Sequence, residues 1–316
     1  MNSSTNVPEW YDRYKELTDS GLSQNQACAI LNIARSTVYD TLKRMETYRS
    51  IASGEKPAGM KVLLWDIETA PTLAYVWQRW KQNIGSNQIE REGTYMLTAA
   101  WKWLGDEEVH GAFALDPVNG DDSNICALLY EAIEKSDVII GHNQNGFDLP
   151  ILNARLIQNN FPPLKTVKKI DTLQIAKKNF KFNTNKLDDL GKYLGVGRKI
   201  DTGGFELWHR TIKGDNDAFC QMMDYNKQDV HLLERVYLKL RAFDSNPAAN
   251  AGHYYEDNIQ RCPVCGSSEV VESGNAAYTP VSKFVEMVCN DCGHRSRKRQ
   301  TVNTVEKRKG MLITPK

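Results

Sequence analysis

The sequence predicts an α/β domain built on a mixed sheet, preceded by an all-α module and followed by a small ribbon held by cysteines. Three observations carry this. Residues 60–243 show three strand-like patterns in succession, then helix-like and strand-like patterns in alternation. That order suits a sheet whose antiparallel strands precede its parallel ones, with helices on its flanks. Residues 1–50 read as short helices alone, and two Cys-x-x-Cys pairs stand near the C-terminus with 23 residues between them.

At 316 residues the chain has room for two or three domains, and its middle is long enough to bury a full core. The formal net charge of +1 points to no partner by itself. The distribution says more: Arg295, Arg297, Lys298, Arg299, Lys307, Arg308, Lys309 and Lys316 face a single acid, Glu306. That local excess suits a polyanion. No apolar run approaches the ~18 residues of a membrane span, and Met1–Trp10 is too polar for a secretory core. Seven cysteines, four of them in Cys-x-x-Cys pairs, are metal-ligand usage in a reducing compartment rather than a disulfide framework. A soluble cytoplasmic protein with no membrane partner is expected.

Residues 1–50 lay out a helix-turn-helix. Leu17–Gly21 ends one helical stretch, Ser23 is a suitable N-cap for Gln24–Leu31, and Ser36 caps Thr37–Met45. Ala27, Ile30, Leu31, Ile33, Val38 and Leu42 recur at spacings that would pack the helices together. The second helix would present Arg35, Ser36, Thr37, Tyr39, Lys43 and Arg44 to duplex DNA. The stretch Gly21-Leu22-Ser23-Gln24 to Ala34-Arg35-Ser36-Thr37-Val38-Tyr39 resembles the helix-turn-helix of resolvases and small regulators. A plain helical hairpin is the alternative. Residues 51–59, rich in Gly, Pro and small side chains, read as a linker.

The middle segment opens on Lys61-Val62-Leu63-Leu64, a short apolar strand. Tyr95–Trp103, a Gly105-Asp106 turn and Val109–Leu115 continue an antiparallel meander. A helix over Ser123–Lys135 leads to strand Val138–Ile140. Helical patterns follow at Pro150–Asn159, Thr172–Asn179, Leu187–Leu194 and Ala218–Leu240. A linker over 244–257 precedes a zinc ribbon over 258–296, with a basic tail over 297–316. In the ribbon Cys262, Cys265, Cys289 and Cys292 satisfy one tetrahedral Zn²⁺ with no open position, so this metal is structural. Gly266 and Gly293 follow the pairs and permit tight knuckle turns. Val270-Val271 and Phe284–Val288 would supply the strands.

The first strand ends in Trp65-Asp66-Ile67-Glu68-Thr69. Residues two apart on a strand share a face, so Asp66 and Glu68 project side by side. Like charges that close repel unless a cation sits between them, and carboxylate oxygen is the donor that hard Mg²⁺ or Mn²⁺ prefers. A solvated strand end with two surface acids is the bland alternative. Further on, Asp148 opens a helix, where its charge suits the positive end of the dipole. Tyr225 and Asp229, four apart on a helix, lie on one face.

Asp66-x-Glu68, Asn143-x-x-x-Phe147-Asp148 and Tyr225-x-x-x-Asp229 together resemble the three motifs of the DEDD superfamily of 3′–5′ exonucleases, in its tyrosine-bearing DEDDy subgroup. Gly141-His142-Asn143 with Phe147-Asp148-x-Pro150 is similar to the proofreading domain of family B DNA polymerases. So are Asp171-Thr172-Leu173 and Leu187-x-x-Leu190-Gly191-x-x-Leu194-Gly195. The resemblance covers residues 60–243 and implies a ribonuclease-H-like fold. So short a chain leaves no room for the polymerase's own domains.

What the resemblance implies is a two-metal-ion exonuclease that hydrolyses nucleic acid, DNA first, from a free 3′ end. Asp66, Glu68 and Asp229 would hold one of two Mg²⁺ or Mn²⁺ ions, and Asp66 and Asp148 the second. Tyr225, a phenol with a usual pKa of ~10, would orient the attacking water rather than deprotonate it. The histidine-bearing subgroup would have His where Asp224 stands, and His231 is out of register. His142 packs or binds substrate. Asn143 and Phe147 would line the groove, Trp77 and Trp80 would stack on bases beside Asn83, and Lys102 and Lys199 would touch phosphates. Three alternatives remain open: a ribonuclease of the same superfamily, a transposase or integrase-like nuclease, and a non-catalytic DNA-binding regulator.

Overall fold

The computed structural model describes residues 10–31, 33, 37–38, 59–245, 247–255 and 257–313, the Asn25 side chain excepted. The chain divides into two units, Met1–Pro57 and Ala58–Lys316. In the first, α1 (Trp10–Asp19) and α2 (Gln24–Leu31) surround Tyr14, Ala27, Cys28 and Val38. Ser23 and Gln26 form a reciprocal cap. The Gln26 N–H donates to Ser23 Oγ at 3.3 Å, and the Ser23 N–H donates to Gln26 Oε1 at 2.9 Å. Ile30, expected inside, is 58% exposed, because the buried stripe of α2 runs through Ala27 and Cys28 instead. Of the expected second helix of the motif, Thr37 and Val38 are described, and both are helical. Arg35, Ser36, Tyr39, Leu42, Lys43 and Arg44 lie outside the described residues.

The second unit is built on β1 (Val62–Thr69), β4 (Met96–Trp103), β5 (His110–Phe113), β6 (Val138–Gly141) and β7 (Lys168–Asp171). These five strands make one sheet in the order β5-β4-β1-β6-β7. A separate hairpin pairs β2 (Leu73–Ala74) with β3 (Ile89–Arg91). The β5-β4-β1 half is antiparallel and the β1-β6-β7 half parallel, as the order of patterns required. β1 runs further than its apolar stretch: it continues through Asp66 and Glu68 to Thr69, with a register shift after Glu68. Its parallel pairing with β6 stops at Leu64↔Ile140. Beyond that point one edge of β1 is open, and the acids stand there.

The helices of this unit are α3 (Ser123–Lys135), α4 (Asp148–Gln158), α5 (Thr172–Asn179), α6 (Leu187–Tyr193), α7 (Phe205–Thr211) and α8 (Asn216–Leu240). The Asp215 carboxylate caps α8 by accepting from the Asp217 and Ala218 N–H groups at 3.0 and 3.1 Å. The 25 residues of α8 span about 37 Å. Val62 and Leu64 of β1 share a core with Val138, Ile140, Val230, Leu233, Val236 and Tyr237. Burying each such aliphatic side chain stabilises the fold by about 1.5–3 kcal/mol. By strand alternation Asp66 and Glu68 point to this same face. The fit of β1 against α8 therefore brings the acids of β1 to those of α8.

Near the C-terminus β8 (Val270–Thr279), β9 (Ser282–Cys289) and β10 (Arg295–Thr301) make a three-stranded antiparallel sheet, followed by the short α9 (Val305–Lys309). β10 crosses the ribbon–tail boundary expected at residues 296/297, so the first basic residues of the tail belong to the sheet. The ribbon rests on the end of α8. His294 Nδ1 lies 3.0 Å from the Ala242 carbonyl, and the Ala251 N–H donates to the Pro263 carbonyl at 2.8 Å. No helix among the described residues is long and apolar enough to cross a membrane.

Candidate active and metal sites

Asp66, Glu68 and Asp229 each offer a carboxylate oxygen, and the three oxygens lie within 4.8 Å of one another. Two come from β1 and one from α8, where Asp229 is 1% exposed. The cross-strand partners of Asp66 and Glu68 are Ala100 and Thr98, both buried and small, which leaves the acids room. Asp148, at the first turn of α4, is buried outside this tight group. It is still close enough to Asp66 to raise its pKa. The Ile67 backbone N–H, on the open edge of β1, helps hold the Asp148 carboxylate. The second motif is thus tied to the first through the main chain.

Crowding has an electrostatic cost. Burial lifts the Asp66 carboxyl well above the usual carboxylate range, and Asp148, Glu68 and Asp229 add to the rise. Burial carries Glu68 up to about 8, against the lowering influence of Lys199. It carries Asp148 up to about 7. Asp229 is raised by burial too, although Lys199 and Tyr225 pull the other way. A group of acids in this condition lacks positive charge.

Lys199 supplies part of it. From the glycine-bearing loop between α6 and α7, its Nζ donates to Asp229 Oδ2 at 2.5 Å and to the Tyr225 hydroxyl at 2.9 Å. Burial disfavours the ammonium, but Asp229 and Asp66 overcome this and hold its pKa above the usual lysine range. Asp229 Oδ1 remains buried with no hydrogen-bond partner. A buried carboxylate oxygen left without a donor, facing two further carboxylates, is what a divalent cation would satisfy. The donor set is all oxygen, so the residues fit Mg²⁺ or Mn²⁺.

Tyr225 sits one helical turn before Asp229, 9% exposed, and burial pushes its hydroxyl up to about 12. Sequence reasoning missed its neighbour Asn226. Asn226 is fully buried, donates from Nδ2 to Asp66 Oδ2 at 2.7 Å, and accepts at Oδ1 from Thr98 Oγ1 at 3.3 Å. A neutral side chain beside a motif tyrosine carries no signal of its own. Only the pairing of β4, β1 and α8 reveals it.

The loop before Asp148 is fixed by Asp171. Its carboxylate accepts from the Asn143, Asn145 and Leu173 N–H groups at 2.9, 3.3 and 3.0 Å. Asn143 takes a left-handed φ of 69°. Asn143 is exposed and Phe147 is 44% exposed. His142 packs: Nδ1 meets Thr172 Oγ1 and Nε2 meets the Asn185 carbonyl, both at 2.9 Å, and burial keeps the ring neutral. Lys102, expected on phosphates, is 2% exposed and pairs with Glu234 at 2.5 Å, so it cannot reach a ligand. Trp77 and Trp80 lie in the loop that joins β2 to β3, both largely in solvent. Thr37 is exposed in the first unit.

The four cysteines form a second cluster with every thiol free of disulfide. Cys262 and Cys292 sulfurs lie 3.6 Å apart, as do those of Cys265 and Cys289. Tetrahedral Zn–S bonds would set sulfurs about 3.8 Å apart, so the four fit Zn²⁺. Gly266 and Gly293 both take φ 78°, and their N–H groups donate to the Cys262 and Cys289 carbonyls at 2.9 Å. These are the expected knuckles. Hydrogen bonding with Cys265 pulls the Cys262 thiol down to about 4 and drives the Cys265 thiol up in return.

The fold is the ribonuclease-H-like α/β arrangement with a cysteine-rich, zinc-ribbon-like region after it. A family model of the RNase_H superfamily, RNase_H_2, matches residues 86–241, a span that holds Asp148, Tyr225 and Asp229 and begins after Asp66 and Glu68. Among solved structures the chain is similar to the family B DNA polymerase from the hyperthermophilic archaeon Pyrobaculum calidifontis. The identity is 18% and the TM-score 0.44, over 62% of this chain and 26% of that one. The matched part is thus about a quarter of that polymerase's length. No curated protein matches the chain.

Proposed function

We propose that this protein is a metal-dependent 3′–5′ exonuclease acting on nucleic acid, with DNA its first substrate. The observation that carries the proposal is the meeting of Asp66, Glu68 and Asp229 within 4.8 Å, with the Tyr225 hydroxyl on the same helix face as Asp229. Asp66, Glu68 and Asp229 would hold one divalent ion, and Asp66 with Asp148 a second. Two such ions would lower the pKa of a bound water so that its hydroxide attacks the phosphate, and would offer positive charge to the departing 3′ oxygen. Tyr225 holds its proton at neutral pH, so its hydroxyl orients the attacking water and takes no proton from it. Lys199 keeps that hydroxyl and Asp229 in register. Asn143 and Phe147, exposed beside Asp148, meet the terminal nucleotides.

The flanking regions support delivery to DNA. In the helix-turn-helix reading, Arg35, Ser36, Thr37, Tyr39, Lys43 and Arg44 face the duplex, and the basic strand β10 attracts phosphates. One structural Zn²⁺ on the four cysteines suits a reducing, cytoplasmic setting. A transposase reading is less well supported, because transposases usually show one acid on that strand and no tyrosine in the position of Tyr225.

The test is a time course on 3′- and 5′-labelled single- and double-stranded DNA and RNA, in Mg²⁺ or Mn²⁺ and in EDTA. A ladder of products shortened from the 3′ end, lost in EDTA and in Asp66→Ala, is expected. Internal cuts, joined strands or full activity in Asp66→Ala would refute the proposal. Degradation of RNA alone would move it to the ribonuclease.

A further inference from the structure

The hairpin that follows β1 exposes side chains that folding ordinarily hides. Trp77 is 95% exposed, Trp80 81% and Tyr75 70%. Large aromatics presented together at a surface mark a binding site. The hairpin is nevertheless built and anchored. The Tyr75 N–H donates to the Gln88 carbonyl at 2.9 Å, Gln88 Nε2 returns to the Tyr75 carbonyl at 3.0 Å, and the Gly85 N–H meets Gln88 Oε1 at 2.9 Å. At the root, Ala70 and Thr94 N–H groups donate to the Tyr95 and Ala70 carbonyls at 3.0 and 3.1 Å. There Gly93 approaches so closely that a Cβ would stand 2.5 Å from the Thr72 nitrogen. A fixed neck thus holds out an aromatic tip.

The charge at the tip selects the occupant. From Tyr75 to Gln88 there are two cations, Arg79 and Lys81, both exposed, and no acid; the one acid of the arm, Glu90, stands on the returning strand at the neck and hydrogen-bonds Tyr75. Lysine is depleted at the centre of protein–protein interfaces, whereas aromatics interleaved with cations suit bases strung on a phosphate backbone. Position agrees with this. Trp77 lies nine residues beyond Glu68, at most about 30 Å of extended chain from the carboxylates. In a duplex the base faces are already covered by their neighbours, so the tip can stack only on unpaired bases.

We propose that the hairpin Leu73–Arg91 is a stacking arm for single-stranded nucleic acid, which it grips upstream of the 3′ end held at the carboxylates. The assignment of the 3′ end rests on the exonuclease reading; the grip on the strand does not. Trp77 and Trp80 stack on bases, and Arg79 and Lys81 neutralise phosphates.

The test uses the full chain in EDTA, where nothing is cleaved, with a 5′-fluorescein-labelled 15-nucleotide oligo-dT and a blunt duplex of equal length. Binding is read by anisotropy and by quenching of tryptophan fluorescence. Trp77→Ala and Trp80→Ala are each expected to weaken single-strand binding about 5- to 150-fold, with Trp→Phe at the same sites restoring most of it. Arg79→Glu with Lys81→Glu is expected to flatten the dependence on salt. Equal single-strand affinity of the double tryptophan variant and the wild type would overturn the arm, as would an equal loss of blunt-duplex affinity in that variant. So would a dimer of the wild type that the double variant loses, since a second copy would then be the occupant. Strand binding without cleavage in Mg²⁺ would refute the exonuclease and leave the arm standing. Cleavage with no loss of affinity in the double variant would refute the arm alone.

Discussion

The carboxylate cluster and the cysteine knuckle could each hold a metal ion, but they are assembled in opposite ways. The knuckle is local: its ligands come from two Cys-x-x-Cys turns whose geometry the following glycines fix, and thiol faces thiol at 3.6 Å. The carboxylate centre is long-range. Asp66 meets its Asn226 partner across 160 residues, and the two meet only because β1 packs on α8. Four thiols close a coordination shell, so a metal there adds to folding. Three crowded acids oppose folding until a cation arrives, which is the usual trade between a poised site and a stable one.

Substitution at the two clusters should separate these roles with the largest effects of all. On the proposed two-ion reading, Asp66→Asn is expected to lower nuclease turnover by at least about 10³-fold, since it would remove an anionic ligand from ions that would supply several kcal/mol to the transition state. Its metal-free Tm at pH 8 should equal or exceed that of the wild type, because a like charge has gone. Cys262→Ser with Cys289→Ser should do the reverse to the fold. Bound zinc near one per chain should be lost and the Tm should fall, as structural zinc is worth about 10–16 kcal/mol in isolated fingers. Elemental analysis and thermal melts check both. Equal Tm losses in the two variants would remove the contrast.

The pH response should sharpen the same contrast. Glu68 is carried from 4.5 to about 8 and Asp148 from 3.8 to about 7. An acid whose pKa is higher folded than unfolded binds more protons in the folded state between the two values. These two acids therefore favour the metal-free fold most near pH 4, and their contribution is lost as pH rises towards 8. Divalent ions need the deprotonated carboxylates, so the Tm gain from Mg²⁺ or Mn²⁺ should grow over the same window. Melts from pH 4 to 8 with and without metal test this. If Glu68→Gln left the slope of the metal-free Tm against pH unchanged, burial would not be holding the Glu68 pKa up.

What could be read from the sequence follows the same division. The knuckle was legible because its spacing and glycines are local. The side-by-side placement of Asp66 with Glu68, and of Tyr225 with Asp229, was legible because strand and helix periods put each pair on one face. Lys102 was misread: a lysine signals surface by type, yet its partner Glu234 lies 132 residues away and draws it inside. The strand β7 escaped notice because Lys168 and Lys169 are exposed and only Ile170 and Asp171 are buried, which leaves no alternation. Ile30 was placed in the helical core by spacing alone, one position from the stripe that packs.

Asn226 offers the smallest effect and the most specific one. It touches Asp66 through one hydrogen bond of 2.7 Å and is itself held by Thr98. Removing the donor leaves every proposed ligand in place but frees Asp66 Oδ2 to turn. Groups that orient metal ligands typically contribute 10- to 100-fold in metal affinity or activity. Asn226→Ala is accordingly expected to weaken Mn²⁺ binding about 10-fold, measured by calorimetry, and to raise the metal concentration needed for half-maximal cleavage by a similar factor. Turnover at saturating metal should change less. Asn226→Asp is the sharper variant, because it keeps the shape and adds another carboxylate to the crowd, so it should shift the pH dependence of metal binding upward as well. If Asn226→Ala lowered turnover at saturating Mn²⁺ and left the metal affinity intact, Asn226 would act on the reacting groups and not on the orientation of Asp66.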